Sequence, residues 1–196
     1  HRRRMPTAAG AAIPKYFDEL TEDDFHRMLS VNYMGVVHLA KAVLPGMATR
    51  GRGQFAAVCS MVAATPFVGY SAYGPAKAAC RCLVDTLRNE YADTPITFHI
   101  AFPPDTDTPG LARENETKPW ETRHVWPAMF NETFQAKDVG AMILDGGSNN
   151  WECVTADTSN LGPDGVAIAA QCCDGNTCVR KLSNNNDDCF AGKWGS

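Results

Sequence analysis

SMVAATPFVGYSAYGPAK, Ser60 to Lys77, is the stretch on which the fold turns. Tyr73 and Lys77 are four residues apart, so on a helix they share one face. Ser60 precedes Tyr73 by thirteen residues, and Pro66 and Gly69 between them predict a turn. A hydroxyl at a strand end then faces a phenol and an amine on the helix that follows. The flanks fit this arrangement. QFAAVCS, from Gln54, reads as a short buried strand. Tyr73 to Tyr91 reads as a helix with Ala76, Cys80, Leu83, Val84 and Leu87 on its apolar side.

Further out the pattern repeats. ITFHIAF, Ile96 to Phe102, is a second strand, stopped by Pro103 and Pro104. Upstream, Thr21 is the expected N-cap of a long helix, with Glu22, Asp23 and Asp24 in a first turn that favours negative charge. Phe25, Met28, Leu29, Val36, Leu39, Val43 and Met47 recur at helical steps, and Pro45 and Gly46 are expected to disturb the helix end. Helix, strand, helix, strand implies right-handed crossovers onto a parallel sheet. Asp105 to Pro127 is polar and reads as an irregular flap over a site at the strand ends. Ala136 to Leu144 reads as another helix. After Gly146 the texture becomes loop-like, which places a boundary near Asp145 to Ser148 and divides the chain into 1–146 and 147–196.

Composition excludes some functions. With 196 residues, a formal charge of −4 and 44% hydrophobic residues, the chain is ordinary globular material. It carries no basic footprint, so nucleic acid is not indicated as a partner. No apolar run approaches the ~20 residues of a membrane helix. The start, HRRRMPTAAG, lacks the apolar core of a secretion signal, and beginning at His1 rather than Met reads as a fragment. Cys59, Cys80 and Cys82 are spread thinly and read as small core residues. Cys153, Cys172, Cys173, Cys178 and Cys189 crowd the end of the chain. No His lies beyond His124 to complete a zinc site, so disulfides of a small secreted-type module are the favoured reading and no metal is expected. His26, His38, His99 and His124 have no matching ligand set and read as structural or solvent-facing.

Asn32 falls on the apolar stripe of the first helix. A buried amide must find partners or cost about 1–3 kcal/mol. Two readings stand: a satisfied core Asn, or an Asn that opens the helix locally and holds a water near a site. Tyr73 alone would be a core-rim residue. With Lys77 beside it, an ammonium favours phenolate and is expected to pull the phenol down from about 10. Such a Tyr exchanges a proton with a carbonyl oxygen, and Ser60 orients that oxygen.

In order, VNYMG (Val31 to Gly35, containing Asn32), Ser60 and YGPAK (Tyr73 to Lys77) resemble the Asn–Ser–Tyr–Lys tetrad of the short-chain dehydrogenase/reductase family. AFPPDTDTPG, Ala101 to Gly110, and DFHRMLSVNYMGVVHLAKAVLPGM, Asp24 to Met47, are similar to its 3-ketodihydrosphingosine reductase group. The resemblance covers roughly Ala8 to Gly146. It implies an α/β fold, a Rossmann-like doubly wound parallel sheet, here incomplete, with a small Cys-rich C-terminal segment. It implies NADPH as cofactor and a small-molecule lipid ketone, 3-ketosphinganine, as substrate. Tyr73 would be the general acid, and Lys77 would lower its pKa and bind the nicotinamide ribose. Ser60 would orient the carbonyl, and Asn32 would hold the relay water. Thr106 and Thr108 would meet the carboxamide and nearby phosphate, with Pro103 shaping the turn. The implied location is the cytosolic face of the endoplasmic reticulum, with association at the membrane surface.

Departures from the family pattern frame the alternatives. The family's NNAG appears as TAAG, Thr7 to Gly10, and no Gly-rich pyrophosphate turn precedes it. The final strand expected beyond Leu144 gives way to the Cys-rich segment. This half-domain is therefore expected to bind NADPH poorly by itself. The competing readings are an inactive reductase fragment acting through interactions, or a Cys-rich extracellular binding module.

Overall fold

The apolar runs pair into one parallel sheet. The computed structural model describes residues 4–124, 133–148, 153–155, 170–174, 177–181 and 190–191. Arg4–Thr7 forms β1. Glu22–Leu29 (α1) and Gly35–Thr49 (α2) follow, joined by a π-helical turn at Ser30–Met34. Gly53–Val58 is β2, Tyr73–Glu90 is α3 and Ile96–Phe102 is β3. Then come Thr106–Asp107 (β4), Pro109–Thr117 (α4), Phe134–Gln135 (β5), Ala136–Ser148 (α5) and Cys153–Thr155 (β6). Ala170–Asp174 (β7), Thr177–Lys181 (β8) and Phe190–Ala191 (β9) make an antiparallel sheet of their own.

The main sheet runs β1-β2-β3-β6 with every pairing parallel, so the α/β class and the partial doubly wound sheet are those read from the sequence. In register, Phe55 lies opposite Phe98 and Ala57 opposite Ile100. All four are buried, and the two Phe ring centroids are 6.0 Å apart. Val36, Ala40, Leu44 and Met47 of α2, with Cys80 and Val84 of α3, join the same core. Burial of each large side chain stabilises by about 1.5–3 kcal/mol. Gln54 of β2 and His99 of β3 are polar and buried as well: the Gln54 amide nitrogen, which can only donate, meets His99 Nε2 at 2.8 Å.

Local chemistry explains where elements begin, and where they differ from expectation. Thr21 caps α1 as predicted, and Asp24 answers it. Thr21 Oγ1 accepts from Asp24 N (3.3 Å) while Asp24 Oδ2 accepts from Thr21 N (3.0 Å), a reciprocal capping box. Pro45 does not end its helix. α2 runs through it to Thr49, because buried Leu44 and Met47 flank the lost backbone bond and hold the turn on the core. Much of the flap expected at Asp105 to Pro127 is helical. Thr108 caps α4 and Pro109 occupies its first turn, a start signal that the polar composition hid. Cys82 is exposed rather than core, since it lies on the outer side of α3 while Cys80 faces inward. Helix α5 reaches Ser148, and β6, beyond residue 146, pairs with β3 through Ile100 and Cys153. Cys189 lies outside the described residues.

Gly69 is required where it stands. Its φ is +85°, and a Cβ there would come within 2.6 Å of the Pro119 ring. Gly69→Ala is therefore expected to cost about 1–3 kcal/mol, seen as a lower urea midpoint. Gly35→Ala, where nothing lies within 4 Å of the new Cβ, is the control and should be neutral or slightly stabilising.

Candidate active site

Strand β2 stops at Val58, and Ser60 opens a short turn at Met61–Ala63 by accepting a hydrogen bond from Val62 N on Oγ (3.3 Å). α3 starts at Tyr73. Its first turn presses against that short turn because residue 74 is Gly: a Cβ there would stand 3.3 Å from Val62 Cγ1. The Cys59 thiol donates to the Lys77 carbonyl (3.2 Å), tying α3 to the end of β2. Ser60, Tyr73 and Lys77 thus converge because a strand end and a helix start are locked together.

Lys77 is 4% exposed, and its Nζ donates to Val58 O at 2.9 Å. Burial pushes its pKa down. Tyr73 is half-buried, and its phenol hydrogen-bonds Ser60. Burial pushes this phenol well above its usual range. The Ser60 bond pulls it down, and the carboxylates of Glu114 and Asp105 raise it further. The expected lowering by Lys77 is not what the geometry gives. The ammonium is turned toward Val58 O, stands 5.7 Å from the Tyr73 ring centroid, and is itself disfavoured by burial.

Asn32 is 0% exposed and sits in the π-helical turn. Its Nδ2 donates to Ala11 O (2.8 Å) and Met28 O (3.1 Å), and its Oδ1 accepts from Ala11 N (3.2 Å). The Asn32 amide is satisfied, as the first reading has it, and the helix opens here, as the second has it. Its side chain binds the 10–11 loop, which lines the cavity, and stands behind that loop. A Cβ on Gly10 would meet Asn32 Oδ1 at 3.1 Å and Lys77 Nζ at 3.4 Å, so only Gly leaves this corner open.

The cavity has a volume of about 300 Å³, and Ser60, Tyr73, Lys77, Pro103, Thr106 and Thr108 all line it. Thr108 Oγ1 accepts from Leu111 N (3.1 Å), and Thr106 Oγ1 donates to Pro104 O (2.9 Å). Sequence reasoning missed the adjoining wall. Tyr70 donates to Glu114 Oε1, and its ring lies 5.7 Å from that of Tyr73. Lys118 Nζ pairs with Asp105 Oδ2 at 3.1 Å and with Glu114 Oε1 at 3.8 Å. The available signal was periodicity: Leu111 and Glu114 share one face of a helix that Thr108 starts, and Lys118 follows four residues on, just past its end. Among the described residues no group of His, Cys, Asp and Glu could hold a metal.

The model of the short chain dehydrogenase family matches residues 5–119. A 3-dehydrosphinganine reductase of Danio rerio is 37% identical over 173 residues, 86% of this chain and 49% of its own length. A 3-ketodihydrosphingosine reductase of Bos taurus is 33% identical over 170 residues, again 86% and 49%. The chain spans about half the length of these curated relatives. A short-chain dehydrogenase from Sphingobium yanoikuyae, solved in complex with NADPH, shares the fold with a TM-score of 0.66. It is 23% identical and covers 78% of this chain and 56% of its own.

Proposed function

The chain belongs to the short-chain dehydrogenase family, and we propose that it is the catalytic half of an NADPH-dependent reductase converting 3-ketosphinganine to sphinganine. The observation that carries this reading is the convergence of Ser60, Tyr73 and Lys77 on one cavity. NADPH, when bound, supplies the hydride for the ketone carbon. Tyr73 donates the proton to the ketone oxygen, and burial keeps its phenol in the acid form that this direction of reaction needs. Ser60, bonded to that phenol, orients the same oxygen. The turn that Asn32 opens would hold the relay water behind them, since the Asn32 amide itself is spent on Ala11 and Met28.

The residues suit the nicotinamide end of such a cofactor. Val58 O takes one of the three N–H groups of Lys77, which leaves donors for ribose hydroxyls. Gly10 keeps the adjacent corner free of a side chain. Thr106 and Thr108 would meet the carboxamide and nearby phosphate, and Pro103 would shape their turn. A second, apolar cavity of about 570 Å³ adjoins the first, with Val62 and Tyr70 in both walls, and suits the sphingoid chain. Phe17 (72% exposed), Trp120 (63%) and Val68 (43%) stand out on this side of the molecule. They suit association with a membrane surface, which for a sphingolipid reductase is the cytosolic face of the endoplasmic reticulum. No described helix is long and apolar enough to cross a membrane.

The test is NADPH oxidation with 3-ketosphinganine by the protein that carries this sequence, with sphinganine identified by mass. Absence of that product overturns the reading. Within it, Ser60→Ala is expected to lower kcat/KM by about tenfold, the worth of one hydrogen bond. Lys77→Met should lower it by about 10²-fold or more and raise the NADPH Kd as well. The reverse order would remove the dual role of Lys77.

A further inference from the structure

The cavity wall beside Tyr73, where Tyr70 and Glu114 stand, carries charge that the proton transfer does not use. We infer that Glu114 is the binding site for the substrate's ammonium group and sets a preference for ketones with an amine on the neighbouring carbon. This rests on the sphingoid reading, because 3-ketosphinganine carries its amino group on the carbon beside the ketone. A ketone oxygen held by Tyr73 and Ser60 leaves that amine on the next carbon but one from the oxygen, within the same cavity that Tyr70 and Glu114 line.

Three observations support the assignment. Glu114 and Asp105 both line the cavity, whereas Lys118, their shared counter-ion, is 4% exposed at its side chain and stands behind them. Both of the carboxylate's partners, the Tyr70 hydroxyl and Lys118 Nζ, use Oε1. Oε2 has no hydrogen-bond partner among the described residues, and a carboxylate of this kind accepts further donors readily. Finally, a single aromatic ring, Tyr70, links Glu114 to Tyr73, with the two Tyr centroids 5.7 Å apart. Burial raises the pKa of Glu114, and Tyr70 and Lys118 offset that cost, as an arriving ammonium would. Arg113 also lines the cavity but is exposed, so its guanidinium reaches solvent.

The test compares paired short-chain ligands on the whole protein. 2-Aminooctane-1,3-diol and octane-1,3-diol differ by the amine alone, and their Kd values are read by calorimetry. The corresponding amino and deamino ketones are compared by kcat/KM. Wild-type protein is expected to prefer the amine about tenfold in both pairs, as a charge-assisted hydrogen bond implies. Glu114→Gln, which keeps the acceptor for Tyr70, should bring the ratio close to one. A preference retained in Glu114→Gln overturns the assignment, as does equal binding of the two diols by the wild type. If the variant fails to fold, the wild-type pair decides: the preference must exist and must shrink as salt is raised. The two proposals fail separately. No reduction of either ketone, with the diol preference intact, removes the reductase reading and leaves the ammonium site. Reduction of both with no preference removes the site alone.

Discussion

In the whole protein that carries this sequence, Tyr73→Phe is expected to lower ketone reduction by about 10²–10⁴-fold, the usual worth of a positioned general acid, while NADPH binding is retained. Phe keeps the ring against Tyr70, 5.7 Å centroid to centroid, and keeps the start of α3 in place. It removes one oxygen, the one bonded to Ser60. The folded state should suffer little, since burial already disfavours the ionised phenol and Phe brings no charge or polar atom to satisfy. Steady-state turnover, a fluorescence titration with NADPH and a thermal melt separate the outcomes. Near-normal turnover removes Tyr73 as the proton donor. Loss of folding together with activity would mean that the hydroxyl acts through structure.

The framework was legible wherever the residues carried a period or an anomaly. ITFHIAF gave both bounds of β3, because an apolar run ends on two prolines. Asn32 declared itself as an amide on an apolar stripe, and the helix does open there. Ser60, Tyr73 and Lys77 were legible from spacing, and the structure brings them to one cavity. What was hidden depended on direction and context. The field at Tyr73 depends on where Lys77 Nζ points and on carboxylates from a distant segment, and spacing gives neither. Helix α4 was masked by polar composition, although Thr108 and Pro109 are a start signal. Glu114 was lost with it. β6 is three residues long, too short for periodicity to speak, and gains its partner only when β3 is already in place.

Asn32→Ala is the other large effect, and it falls on stability first. The amide is 0% exposed; two hydrogen bonds to Ala11, of 3.2 and 2.8 Å, hold the 10–11 loop on the π-helical turn, and a third, of 3.1 Å, reaches back to Met28 O in α1. Alanine leaves the part-buried Ala11 N and Ala11 O without these bonds, and their loss together is expected to cost about 1–3 kcal/mol. A lower urea midpoint with an unchanged slope is the expected result. Activity of the protein that remains folded should fall too, because Gly10 and Ala11 line the cavity beside Lys77. Asn32→Asp sharpens the test. It keeps the shape and the acceptor but places an oxygen where Nδ2 donates to two carbonyls, so it should be at least as damaging as alanine. An Asp variant of wild-type stability and turnover would show that those donated bonds do not hold the loop, and that the open turn is set by the backbone alone.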